Sequence, residues 1–125
     1  MFLYLSNTKS PYRFNVMIPD GVDISGEIGL AEVSFEFKES EESFDVCCDI
    51  CENSMVDRNQ YSDERPVLRR IHASKRKDYI RFDPIHYIPI VKPKPYIIEI
   101  YLRPVHYNYN SVDLKSLNCT LHLKP

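Results

Sequence analysis

The sequence of 125 residues contains no tryptophan and only three glycines, and no stretch of it approaches a long apolar run. A membrane-spanning helix needs about 20 consecutive apolar residues, so the sequence predicts no membrane span. The first residues, MFLYLSNT, carry neither a basic flank nor an apolar stretch of signal-peptide length, so we expect no secretory signal. With no export signal expected, the cysteines are expected to be reduced thiols in an intracellular setting.

Length and composition predict one folded domain over residues 1–125. Hydrophobic residues make up 43% of the chain and charged residues 27%, which is ordinary for a soluble globular protein. The net charge of −2 conceals an uneven distribution, because acidic residues predominate from Lys38 to Glu64 and basic residues from Arg65 to Lys94. A surface of mixed sign favours self-association or a complementary partner over general attraction to a polyanion.

Apolar residues alternate with polar ones along most of the chain, as they do on half-buried strands. Nine tyrosines, six phenylalanines and nine prolines also favour strands and ordered loops over helix. Eight or nine strands are predicted, in the segments 2–6, 12–18, 26–37, 44–51, 67–73, 79–82, 86–91, 96–103 and 117–123.

Several details of these strands are also predicted. Gly29, Ala31, Val33, Phe35 and Phe37 are expected to share one face, and the first part of that strand to be covered on both sides. The polar stretch 52–65 has no period and predicts an exposed loop. The prolines at 89, 93 and 95 predict an edge strand or a polyproline-II-like segment. Short strands with unequal connections are typical of an antiparallel β-sandwich, most of all a jelly roll.

Several short motifs, spread over nearly the whole chain, resemble the motifs of one protein family and occur in the same order. They are residues 2–8 (FLYLSNT), 12–19 (YRFNVMIP), 24–35 (ISGEIGLAEVSF), 48–50 (CDI), 66–71 (PVLRRI), 87–90 (YIPI), 97–100 (IIEI) and 119–124 (CTLHLK). This succession resembles a structural protein of polinton (Maverick) elements and adintovirus-like viruses of animals, although Ile28 stands where that family has a tryptophan.

The resemblance implies a minor-capsid or penton-type virion protein built on one jelly roll that assembles into oligomers. It also implies a location in the virion, and in the host cytoplasm or nucleus during assembly. Other capsid proteins would be its partners, and a small cement protein would fit the same length.

The cysteines offer a metal site as one alternative. Cys47, Cys48, Cys51 and Cys119, with His72 or His86, could supply four zinc ligands. On a strand, however, Cys47 and Cys48 would point to opposite faces, so we expect free thiols and no cofactor.

No pattern in the sequence predicts catalysis. The four histidines accompany no glycine-flanked nucleophile, and the carboxylates crowd into one solvated loop. We therefore expect no enzyme and no small-molecule substrate.

The basic segment 69–81 is the best candidate for nucleic-acid binding, because its lysines and arginines could meet phosphates while Tyr79 and Phe82 stack on bases. The alternative that we favour places these charges on the solvent side of two strands, facing an acidic loop of a neighbouring subunit. A nucleic-acid or host-factor binding module stays the second hypothesis.

The sequence therefore predicts a structural subunit that forms homo-oligomers through its loops and sheet edges. A ring of identical subunits joins different patches of the same molecule, and loops of opposite charge would provide them. The predicted interface residues are Glu39, Glu41 and Glu42 of the acidic loop, Arg69, Arg70, Lys75, Arg76 and Lys77 of the basic segment, and Tyr107 and Tyr109 of the Tyr/Asn loop.

Overall fold

The computed structural model describes residues 1–7, 13–22, 24–58, 61–92, 96–105 and 112–125. Within these ranges the chain forms eleven strands and no helix. The strands are β1 (Phe2–Asn7), β2 (Arg13–Met17), β3 (Glu27–Phe37), β4 (Phe44–Cys48), β5 (Ser54–Arg58), β6 (Tyr61–Arg65), β7 (Val67–Ile71), β8 (Lys77–Arg81), β9 (Tyr87–Pro89), β10 (Ile97–Pro104) and β11 (Leu114–Lys124). The described part of the chain has no helix long and apolar enough to cross a membrane.

The strands form two larger antiparallel sheets and one hairpin. The five-stranded sheet has the order β1-β11-β3-β8, with β9 also paired to β3, and the four-stranded sheet has the order β2-β10-β4-β7. Their inner faces share one hydrophobic core, so the predicted all-β sandwich is confirmed.

Three phenylalanines join the two sheets at the centre of this core. Phe35 and Phe37 come from β3 and Phe44 from β4, and their ring centroids lie 5.4 to 6.1 Å apart in edge-to-face geometry. All three side chains are buried. This arrangement follows from the alternation, which points every second residue of both strands inward.

A β-bulge changes which residues of β3 face the core. The register moves from Glu32 opposite Thr120 to Leu30 opposite Leu121, so Ala31 is an extra residue. The prediction that Gly29 and Ala31 share the face of Val33 is therefore wrong, and Ile28 and Leu30 occupy the core instead.

The expected cover on both sides of early β3 is confirmed. A Cβ atom at Gly29 would lie 2.5 Å from Ile85 Cγ2 and 2.7 Å from the His86 carbonyl oxygen, so this segment lies against the outer face of β3. β9, which contains Pro89, pairs only with β3 among the described strands, as the prediction of an edge strand requires.

The stretch 52–65 differs from its prediction as an exposed loop. It contains the antiparallel pair β5 and β6, and the side chain of Arg65 at its end is buried. The pair joins neither of the larger sheets, and alternation is expected only where a strand buries one face in a core.

Candidate functional site

The acidic loop (residues 38–43) and the turn at residues 74–77 of the basic segment, called the basic turn below, adjoin at one end of the molecule. The backbone N–H of Phe37, directly before the loop, donates to the carbonyl oxygen of Arg76 in the turn at 2.8 Å. Glu39, Glu41, Lys75, Arg76 and Lys77 are exposed and Glu42 is half-buried. The two predicted patches are thus neighbours within one chain, and their role in an interface stays a prediction.

The acidic loop is also held to the segment before β11. The Glu42 carboxylate accepts a hydrogen bond from the backbone N–H of Asp113 at 3.3 Å, and Lys38 Nζ lies 3.6 Å from Asp113 Oδ1. Exposed pairs of this kind contribute little free energy, so they orient the loop more than they stabilise the fold.

Arg69 and Arg70 of the basic segment make contacts inside the chain. The Arg69 guanidinium lies 4.5 Å from the centroid of the Phe82 ring. Arg70 Nε and Nη2 donate to the two Asp45 carboxylate oxygens at 2.7 and 3.1 Å, and this hydrogen bonding raises the pKa of Arg70. Arg69 and Arg70 are therefore engaged largely within their own chain. Lys75, Arg76 and Lys77 are the exposed cations of the predicted interface set.

A buried ionic cluster surrounds Asp45 on the outer face of the four-stranded sheet. The Asp45 side chain is fully buried, and Arg65 Nη1, also almost fully buried, lies 3.5 Å from its Oδ2. Arg103 on β10 and Arg70 on β7 are the residues directly across from Asp45 on the two neighbouring strands. Sequence analysis missed this cluster, because Arg65 fell in the predicted exposed loop and the partners of Asp45 are distant in sequence.

The Tyr/Asn loop residues Tyr107 and Tyr109 lie outside the described residues. Tyr101, on β10, is half-buried between two arginines, with the Arg13 and Arg103 guanidinium carbons each 5.8 Å from its ring centroid. Burial raises the pKa of the Tyr101 phenol.

The four cysteines do not come together as a metal site. Cys47 lies on the outer face of β4 beside Asp45, Cys48 and Cys51 flank the turn after β4, and Cys119 lies on β11 in the other sheet. No group of three metal-ligating side chains occurs in the described ranges, where His72 and His86 are exposed. The alternation places Cys47 and Cys48 on opposite faces, as the sequence predicts.

All four thiols are buried, and those of Cys47, Cys51 and Cys119 remain protonated. Burial raises the pKa of Cys47 to about 12, with the Asp45 charge adding to the effect, and burial alone raises the pKa of Cys119 to about 12. The hydrogen bond with the Cys48 side chain, together with burial, raises the pKa of Cys51. Because the thiolate is the nucleophile, these groups are poor nucleophiles at neutral pH.

We therefore expect the folded protein to resist alkylation by iodoacetamide at about pH 8, where a thiol of pKa 12 is ionised in about one molecule in ten thousand. After unfolding in guanidinium chloride, mass spectrometry should find all four cysteines alkylated. The raised pKa values of Cys47 and Cys119 also make the free energy of unfolding depend on pH. The contribution of these two protonated thiols is complete below about pH 9 and declines above it, because the unfolded chain loses its thiol protons at lower pH than the folded chain. Rapid alkylation of the folded protein would contradict this assignment.

The concave surfaces formed by described residues are open grooves. One, of about 490 Å³, runs beside β7 and is lined in part by Arg69, Arg70 and His86. Another, of about 440 Å³, lies between Phe2 and the segment 81–87.

Exposed apolar side chains concentrate at two strand edges, one in each of the larger sheets. Nine large hydrophobic side chains are exposed in the described part of the chain, and six of them lie at the edges formed by β1 and by β2 with the start of β10. These six are Met1, Phe2, Tyr4, Met17, Tyr96 and Ile97. Sequence analysis missed these apolar edges, although the uncharged segment FLYLSN was a usable signal for the first of them.

Comparison of the chain with models of protein families, with curated proteins and with solved structures finds no match. We therefore infer its function from the geometry of its own residues.

Proposed function

We propose that this protein is a non-enzymatic structural subunit of a viral or virus-derived particle, of the minor-capsid, penton or cement type, folded as a jelly roll. The observation that carries the proposal is the order in which its strands pair. Four pairs are nested, so that the first half of the chain meets the second half in reverse order: β1 with β11, β2 with β10, β3 with β8 and β4 with β7.

Nested pairing of this kind is what results when one long hairpin is rolled up into two sheets. β3 and β11 then pair in one sheet, and β4 and β10 pair in the other, which closes the roll. Eight strands in two Greek keys define the jelly roll, an architecture used by viral capsid proteins and also by lectins and cupins. The β5–β6 hairpin and β9 are additions to this plan.

The character of the surface supports a subunit over an enzyme. The reactive side chains closest to the core are protonated thiols and the Asp45 carboxylate, which Arg65 and Arg70 already neutralise. What the fold offers outward is a rigid sandwich with a charged end and with exposed apolar side chains at an edge of each larger sheet. Since one fold serves many functions, the assignment to a particle depends on these surfaces and on the resemblance in the sequence.

The resemblance to the polinton and adintovirus-like family supports the remaining parts of the proposal. Residence in the virion, passage through the host cytoplasm or nucleus during assembly, and contact with other capsid proteins follow from it. Three of the motifs that carry it lie largely or entirely in β1, β3 and β11.

Binding of nucleic acid by the segment 69–81 receives less support. Its cations lie on two different sheets, with Arg69 and Arg70 on β7 and Lys77 and Arg81 on β8. Binding to phosphates would appear as an affinity for single-stranded DNA that falls steeply with salt.

Light scattering on the purified protein tests the proposal. A subunit should give a defined multiple of the chain mass of 14.7 kDa, and a five-fold multiple would favour the penton role. A strict monomer at high concentration would overturn the self-assembling role.

A further inference from the structure

We propose that β1 is a pairing edge at which a second copy of this chain adds its own β1, antiparallel, to continue the five-stranded sheet. The pairing is a two-fold contact between identical strands, and it goes beyond the proposed function because it identifies which edge associates and in which register.

One side of β1 is open in the described structure. β1 pairs with β11 from Phe2 opposite His122 to Asn7 opposite Leu117, and no other described strand pairs with it. The side chains of Leu3 and Leu5 pack against the core but are only half-buried, while Phe2 and Tyr4 on the outer face are 50% and 77% exposed. An added strand would cover the leucines and pair with the backbone on this side of β1.

β1 lacks the features by which proteins protect sheet edges. Charged side chains and proline at an edge discourage the addition of another strand. The sequence of β1, FLYLSN, has neither. The other edge strands do: β2 has Arg13, β7 has Arg69 and Arg70, β8 has Lys77 and Arg81, and β9 has Pro89.

Charge identifies the occupant as a second copy of β1. Antiparallel self-pairing of β8 centred on Tyr79 would set Lys77 against Arg81 of the other copy, and self-pairing of β7 centred on Arg69 would set two arginines together. Like charges directly opposite each other destabilise a sheet. Self-pairing of β1 opposes no charges, and among the edge strands of the two larger sheets only β1 contains neither a charged residue nor proline.

The sequence of β1 also fits itself in one register. With the two-fold axis at Tyr4, each Tyr4 faces the other Tyr4, Leu3 faces Leu5, and Phe2 faces Ser6. The leucine pairs then lie on the inner face and extend both cores, and the tyrosine pair lies on the outer face. Aromatic and apolar cross-strand pairs are those that stabilise a sheet most. Such a contact is isologous and closes as a dimer.

Single cysteines at the edge test this register. In the proposed pairing the two Cα atoms at position 4 lie about 5 Å apart, within the range of a disulfide, whereas those at position 6 lie about 14 Å apart. Tyr4→Cys should therefore form a disulfide-linked dimer under copper–phenanthroline oxidation in air, with a yield about tenfold above that of Ser6→Cys. The four natural cysteines are buried and should not contribute. Linkage at position 6 in preference to position 4, or at neither, would overturn the pairing.

A second pair of variants measures the association without oxidation. Tyr4→Lys places two like charges across the axis and should weaken the dissociation constant of this contact about tenfold or more. Tyr79→Lys is the matched control, because Tyr79 is an exposed aromatic residue on β8, at the other end of the same sheet. Equal association of both variants and the unchanged protein would contradict the role of β1.

The two proposals can fail separately. A defined large oligomer that persists in Tyr4→Lys, with no linkage in Tyr4→Cys, would support the structural subunit and reject the β1 contact. A protein that forms only dimers, linked through position 4, would support the contact and reject the larger assembly.

Discussion

Replacement of Asp45 by asparagine is expected to lower the free energy of unfolding by about 3–5 kcal/mol, the cost of removing one partner from a buried ion pair. The substitution keeps the size of the side chain but leaves the almost fully buried guanidinium of Arg65 without this carboxylate, and it disrupts the two charged hydrogen bonds from Arg70. Urea unfolding followed by circular dichroism measures the change.

Asp113→Asn is the control for this variant. Asp113 forms its ion pair with Lys38 at the surface, where both side chains are more than half exposed. Its loss should change stability by less than about 1 kcal/mol, because exposed pairs are solvated and screened. Equal effects of the two substitutions would contradict the buried cluster around Asp45.

Phe44→Ala is expected to cost about 3–5 kcal/mol, as large-to-small changes of buried phenylalanine do. The ring of Phe44 comes from the four-stranded sheet and contacts Phe35 and Phe37 of the five-stranded sheet, so its loss leaves a cavity between the layers. The same urea titration applies, and Tyr96→Ala, at a side chain that is 83% exposed, is the control. A loss below about 1 kcal/mol at Phe44 would mean that the sheets do not pack through these rings.

The period of two in the sequence was enough to predict the fold class and nearly all of the larger strands. It worked because β10, β11 and the second half of β3 each bury one face in a common core, and burial of one face is what alternation records. It failed at Ala31, where a bulge shifts the phase by one residue, and at β5 and β6, which join neither of the larger sheets.

The candidate surfaces were harder to predict from the sequence, because they are formed by residues that are far apart in the sequence and meet only in the folded chain. Nothing local links Asp45 to Arg70, and the two become neighbours only when β4 pairs with β7. The acidic loop and the basic turn likewise adjoin only because β3 pairs with β8. By contrast, the uncharged edge of β1 is a local property of six residues, and it could be recognised once the strand was known to lie at an edge.

The central claim, that this chain works as an assembling subunit through its outer surfaces, is tested most directly by electron microscopy of the purified, concentrated protein. Closed particles of uniform size and symmetry are the predicted result. Fields that contain only separate single chains, at concentrations where capsid subunits assemble, would contradict it.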